Sequence, residues 1–251
     1  MKVLITRPSG QEHSLVQLLE GQSIAYDHLP LLSIAPKATE QADKELIMNL
    51  DQFTGVIVVS PNAARHGLDL IEQYWPQFPA RQYWLTNGYG TAKVLEHAGL
   101  EVAFPETGTR TEDLLELPEL DQIIGQKWLI IKGEGGRDLL KQELEDRGAE
   151  VSVLSVYKRS APEITKAEAA KALADVDTLI LTSGEALDNL NKLADIEQLK
   201  DKTFIVSSSR MAQMVQERGL TDIVVAKGAS DALILQALLK LDEPGTDGQE
   251  E

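Results

Sequence analysis

The sequence predicts an α/β fold built on parallel sheets, and three observations lead there. Short β-rich runs alternate with helical stretches of 10 to 15 residues along the 251-residue chain. Those runs are apolar nearly throughout, as in Val56-Ile57-Val58-Val59 and Trp128-Leu129-Ile130-Ile131. Strands of that kind suit parallel sheets covered by helices on both faces. The whole pattern also occurs twice.

The elements follow in order. Residues 2–6 form a strand that meets Arg7 and Pro8 too early for a signal peptide. A turn, a helix ending at Gly21 and a strand over 24–28 come next. Ala35-Pro36 is expected to be extended, because proline disfavours helix in the residue before it. Strands at 55–60, 81–86 and 101–104 alternate with helices. At 127 the opening pattern returns: a strand over 127–132, a helix carrying Leu139, Leu140 and Leu144, then Gly148, a strand over 149–157 and Ala161-Pro162. Strands at 177–182 and 202–207 echo those at 55–60 and 81–86, Gly219-Leu220 echoes Gly99-Leu100, and Gly228 answers Gly108. After a last strand at 223–226, Leu233, Ile234, Ala237, Leu238 and Leu241 recur at helical spacing and should face a sheet. Asp242 to Glu251 hold five acids, no base and no apolar side chain, the composition of a disordered acidic tail.

Two similar five-stranded units follow from this repeat. The chain divides either near 125/126 or discontinuously, with 1–35 plus 160–241 in one domain and 36–159 in the other. Periodicity permits both.

Composition narrows the function. With 24 Lys and Arg against 40 Asp and Glu, the net charge is -16, which argues against nucleic acid or an anionic membrane as the partner. No apolar run approaches the roughly 18 residues of a membrane span, so a cytoplasmic protein is expected. Without cysteine there is no disulfide framework, thiolate nucleophile or Cys-type metal site.

In open α/β sheets ligands bind outside the carboxyl ends of the strands. The loops there carry Thr6-Arg7-Pro8-Ser9, Ser60-Pro61-Asn62, Thr86 to Thr91, Lys132 to Arg137, Thr182-Ser183-Gly184, Ser207 to Arg210 and Lys227 to Ser230. Their hydroxyls have a structural explanation as helix N-caps. As a set, though, helix N-termini with adjacent glycines and cations suit a ligand bearing several carboxylates or phosphates. Gly133-Glu134-Gly135-Gly136-Arg137 lacks the spacing of a dinucleotide fingerprint, and neither a P-loop nor a Gly-x-Ser-x-Gly elbow is present. His13, His28, His66 and His97 are isolated and read as helix-surface or loop residues. Tyr157 ends a strand ahead of Lys158 and Arg159, where its hydroxyl acts as a weak acid or its ring anchors a linker.

Leu4-Ile5-Thr6-Arg7-Pro8, Ser60-Pro61-Asn62-Ala63, Gly133-Glu134-Gly135-Gly136-Arg137 with Leu140, Leu144 and Gly148-Ala149-Glu150-Val151, and Val156-Tyr157 together resemble the uroporphyrinogen-III synthase family, from Val3 to Leu239. The resemblance implies two flavodoxin-like α/β domains joined by a two-stranded linker, which selects the discontinuous division, with the active site in the cleft between them. It implies ring closure of hydroxymethylbilane with inversion of the last ring and loss of water, without metal or organic cofactor; a monomer is expected. Tyr157 matches the family's cleft tyrosine, proposed to assist loss of the hydroxyl, and Ser60 and Thr91 match cleft hydroxyls. The substrate's eight carboxylates make Arg7, Lys132, Gly133, Gly135, Gly136, Arg137, Ser183, Ser208 and Arg210 candidate contacts. Two places depart from the family: Thr182-Ser183-Gly184 stands where some members have Ser-Pro, and Arg210-Met211 where some have two threonines. A non-catalytic module binding a small polyanion is the alternative, since a fold alone does not establish catalysis.

Overall fold

The computed structural model describes residues 1–136 and 138–242. Arg137 and most of the expected acidic tail lie outside the described residues; Asp242 ends the last helix. The chain gathers into two compact units, one of Met1–Ile34 with the chain from Ser160 onward, the other of Ala35–Arg159.

In chain order the elements begin with β1 (Lys2–Ile5), α1 (His13–Gly21), β2 (Ala25–His28), β3 (Ser33–Pro36), α2 (Gln41–Met48), β4 (Gly55–Val58) and α3 (Pro61–Ile71). They continue with β5 (Tyr83–Thr86), α4 (Tyr89–His97), β6 (Val102–Ala103), α5 (Thr111–Leu114), β7 (Lys127–Gly133), α6 (Leu139–Asp146) and β8 (Glu150–Ser160). The last stretch holds α7 (Lys166–Ala174), β9 (Thr178–Leu181), α8 (Gly184–Leu193), α9 (Ile196–Leu199), β10 (Thr203–Val206), α10 (Ser209–Gln216), β11 (Ile223–Val225) and α11 (Asp231–Asp242).

One sheet has the order β11-β10-β9-β1-β2, and its pairs are parallel. The other runs β3-β8-β7-β4-β5-β6, with parallel pairing from β8 to β6. Counting from β7, the order β8-β7-β4-β5-β6 reproduces β2-β1-β9-β10-β11. The sequence repeat is thus a repeat of topology in which the strand pair that opens the first sheet closes the second. The expectation of five strands in each sheet needs correction, because Ser33–Pro36 adds a sixth beside β8. Its physical cause is the length of β8. This strand has 11 residues against 7 in β7, and a strand edge leaves backbone groups that need partners. Just beyond β3, the Lys37 N–H donates to the Val156 carbonyl at 3.0 Å.

Strands alternate side chains between faces, so covering both faces demands apolar residues at every position. In the first sheet Leu4, Leu179, Phe204 and Val206 pack with Leu187, Leu190, Met211 and Val215 on one face. Val3, Ile5, Ile180 and Ile205 pack with Leu15, Leu19, Ile234 and Leu238 on the other. In the second sheet Ile57, Leu85, Trp128 and Ile130 pack with Leu114, Leu140 and Leu144. Among the described residues no helix is long and apolar enough to cross a membrane.

Trp128, fully buried, lies over the neighbouring strand at Gly55, where an added Cβ would fall 2.3 Å from Cζ3. Gly55→Ala therefore overpacks the core and should lower stability by about 1–3 kcal/mol. At Gly90, in α4, an added Cβ meets nothing within 4 Å, so Gly90→Ala should raise stability by about 0.5–1 kcal/mol. Denaturant unfolding of both variants checks the opposite signs.

Candidate active site

The second sheet builds a cavity at the carboxyl ends of its strands. After β4, the Ser60 side chain accepts a hydrogen bond from the Ala63 N–H at 3.1 Å and caps α3, and Pro61 supplies the φ that a first helical residue needs. On the neighbouring strands, Lys132 pairs with Ser155 but Gly133 pairs with Tyr157, so Val156 is an extra residue in β8. This bulge re-aims the tyrosine. By two-residue alternation Tyr157, opposite Gly133, joins the face of Ile131 and Leu154. On that face its ring meets His66 of α3, with centroids 5.8 Å apart and planes tilted by 33°.

Gly133 makes room for the ring: a Cβ there would lie 2.5 Å from Tyr157 Cζ. The Glu134 N–H donates to the Tyr157 carbonyl at 2.7 Å and closes the ladder. Tyr157 is only 7% exposed, and its Oη lies 3.3 Å from Ser60 Oγ. Either hydroxyl can donate in this contact; with Ser60 as the donor, the phenolic hydrogen is free to point toward the cavity.

The cavity, of about 240 Å³, has Ser60, Gly133, Gly135, Gly136 and Tyr157 on its walls. Among the described residues of the lining, three are cationic, Lys132, Lys141 and Arg159, against one acid, Asp138. Lys132 reaches Asp138 at 3.3 Å, and Lys141 reaches Glu145 at 3.5 Å. This sign is opposite to that of the chain, so the excess of cations is local. Larger grooves of about 450 and 650 Å³ lie at the amino ends of the strands. One touches Lys127 and Glu150, which begin β7 and β8; the other touches Gln82 and Glu101, just before β5 and β6. Loops that lead into helix N-termini are at the other end.

Of the residues singled out in the sequence, Ser60, Lys132, Gly133, Gly135, Gly136 and Tyr157 share this cavity. Thr91 is buried within α4. In the other unit, Ser183 and Ser208 cap α8 and α10, accepting from the Ala186 and Met211 N–H groups at 3.5 and 3.3 Å. Arg210 is exposed in the first turn of α10. Arg7 is held by an ion pair with Asp231 and donates to the Ala229 carbonyl at 2.8 Å. Among the described residues no group of three or more His, Asp or Glu is placed to hold a metal.

His66, Thr111, Asp138 and Lys141 also neighbour this site and were not singled out in the sequence, where His66 reads as a helix-surface or loop residue; Asn87, also on the cavity, lies in the loop 86–91 that was. Lys141 did carry a signal: it stands in the first turn of α6, where a cation opposes the helix dipole. His66 carried none, because its partner is far along the chain.

A family model for uroporphyrinogen-III synthase HemD matches residues 13–236. The uroporphyrinogen-III synthase of Escherichia coli K12 is 32% identical over 250 residues, covering 95% of this chain and 100% of that protein. The synthase of Salmonella typhimurium LT2 is also 32% identical, over 245 residues, with 95% and 100% covered. Among solved structures, uroporphyrinogen-III synthetase from Helicobacter pylori has a TM-score of 0.66 at 18% identity, covering 96% of this chain and 99% of that one. A mutant synthase from the extreme thermophile Thermus thermophilus has a TM-score of 0.64 at 19% identity, with 97% and 100% covered. These two structures share the fold. With a family model over most of its length and relatives at this identity, the chain belongs to the uroporphyrinogen-III synthase family.

Proposed function

We infer that the chain is a uroporphyrinogen-III synthase, closing hydroxymethylbilane to uroporphyrinogen III with inversion of ring D and loss of water. The observation that carries the active-site assignment is the Tyr157 hydroxyl, oriented by Ser60 on a cationic cavity of an acidic chain. Tyr157 donates its proton to the departing hydroxymethyl oxygen, which leaves as water. The electron-deficient carbon left behind is attacked by the far end ring through a spirocyclic intermediate. Reopening and reclosure invert that ring, and the ring proton lost at the end restores the tyrosine, so water is the net product.

At about 240 Å³ the cavity is below the roughly 300–1,000 Å³ of pockets for drug-sized ligands. It suits one end of the substrate, a pyrrole ring with its hydroxymethyl group. Lys132, Lys141 and Arg159 supply charge-assisted hydrogen bonds to the carboxylates of that end, and the amino end of α3 favours anions nearby. Uncatalysed closure proceeds without inversion, so most of the catalytic effect comes from holding the end rings in one geometry. Ser60, Lys132, Gly133, Gly135 and Gly136 are the proposed contacts on the cavity. Thr91, Arg137, Arg7, Ser183, Ser208 and Arg210 are further proposed contacts.

The same proposal divides the chain into 1–35 plus 160–241 and 36–159, with 242–251 as an acidic tail; the clustering of the chain supports it. A net charge of -16 supports a monomer without a nucleic-acid partner, since like charge keeps copies apart and repels phosphates, and we place that monomer in the cytoplasm. Incubation with freshly generated hydroxymethylbilane, followed by separation of the product isomers, tests the reading. Type III isomer formed faster than spontaneous closure is expected. Only the non-inverted isomer, at the spontaneous rate, would leave a polyanion-binding module without catalysis.

A further inference from the structure

We propose that His66 is a positioning residue for the reaction: its ring, packed against Tyr157, holds the phenol at the angle from which the hydroxyl meets the leaving oxygen. This rests on the reading of Tyr157 as the proton donor of a synthase site.

His66 stands in the middle of α3 and is half-buried. Its ring centroid lies 5.8 Å from that of Tyr157, with a tilt of 33° between the planes, inside the range over which aromatic rings attract. The helix that carries it is fixed on the sheet. Ala63, Ala64, Leu68 and Ile71 are buried, and Gly67 comes so near β7 that an added Cβ would fall 3.0 Å from Ile131 Cγ2. The same helix starts after Ser60, whose Oγ lies 3.3 Å from Tyr157 Oη. One anchored element therefore meets the tyrosine twice, at the hydroxyl and at the ring.

The ring needs that second contact. A tyrosine side chain turns about two bonds, and a hydrogen bond at its tip leaves the ring free to swing around the oxygen. At 3.3 Å the Ser60 contact is longer than the usual 2.5–3.0 Å between hydroxyl oxygens, so Ser60 alone restrains the phenol loosely. The strand helps little, because Tyr157 follows the extra residue of a bulge, where the ladder is disrupted. Gly133 makes room for the ring without gripping it. His66 supplies the missing restraint. Among the described residues it does not line the cavity, so it acts through the tyrosine and not on the substrate. The role calls for a flat ring and uses neither the charge nor a proton of the imidazole.

The test is steady-state kinetics with freshly generated hydroxymethylbilane on the full chain carrying His66→Ala or His66→Phe, each alone and combined with Tyr157→Phe, well below every melting temperature. His66→Ala should lower kcat about tenfold, less than the roughly hundredfold cost of moving a reacting group by about 1 Å, with KM changed less than about twofold. His66→Phe should restore most of kcat, because the flat ring returns. On the Tyr157→Phe background His66→Ala should cost little more, since no hydroxyl is left to place, whereas a merely structural role would cost the same on both backgrounds. Unchanged kcat in His66→Ala would overturn the inference, as would His66→Phe as slow as His66→Ala, or an undiminished loss on the Tyr157→Phe background. The unaltered chain run alongside separates the two levels: if it yields no inverted isomer, the synthase reading itself falls and takes the inference with it.

Discussion

Tyr157→Phe is expected to lower kcat about a hundredfold, the scale of a lost general acid, with little change in KM or melting temperature. The ring remains, so packing against Gly133 and His66 is kept. Only the hydroxyl is lost, and with it the proposed proton donor to the leaving oxygen. Ser60 loses a partner on the cavity side but retains its cap on α3, which depends on the Ala63 N–H. A variant with raised KM and normal kcat would instead mean that the hydroxyl acts on ground-state binding. Steady-state kinetics with the full substrate distinguishes these outcomes.

Gly133→Ala is expected to have an effect of similar size by a different route. An alanine Cβ would sit 2.5 Å from Tyr157 Cζ, against about 3.5 Å for carbons in contact, so the ring must move by about 1 Å. A misplacement of that size at a reacting group costs about a hundredfold in rate. The same crowding should cost about 1–3 kcal/mol of stability, in contrast to Tyr157→Phe. Combining the two substitutions gives a further check. Once the hydroxyl is absent its position no longer matters, so the double variant should be little slower than either single one. Full multiplication of the two losses would mean that Gly133 acts apart from Tyr157.

How much of this was legible in the sequence depends on how local each cause is. Val56 to Val59 and Trp128 to Ile131 read as strands because both faces of a parallel sheet are buried, and the repeat gave the order of elements. Ser33–Pro36 did not read as a strand of the sheet, because pairing with β8 decides its state. The β6 strand is only Val102–Ala103, shorter than the 101–104 expected. For the site, the Ser60-Pro61 cap was marked by residue type, whereas Gly133 read as a glycine of an anion-binding loop and its close approach to the Tyr157 ring was not. The bulge at Val156 was not, since a one-residue shift in register leaves no trace in composition. Nor was the pairing of Arg7 with Asp231, which is 224 residues away in sequence yet adjacent within one unit. His66 became visible only when α3 was placed beside β8, whereas Asn87 already stood within the ligand loop over 86–91.

On the proposed reading, the Tyr157 hydroxyl on this cavity starts an inverting ring closure. The measurement that tests it most directly is the time course of both product isomers from hydroxymethylbilane, for the unaltered chain and for Tyr157→Phe at matched melting temperature. Type III isomer well above the spontaneous background is expected from the unaltered chain. From Tyr157→Phe, type III should form about a hundredfold more slowly, with the non-inverted isomer accumulating at the spontaneous rate. Type III isomer formed by Tyr157→Phe as fast as by the unaltered chain would contradict it.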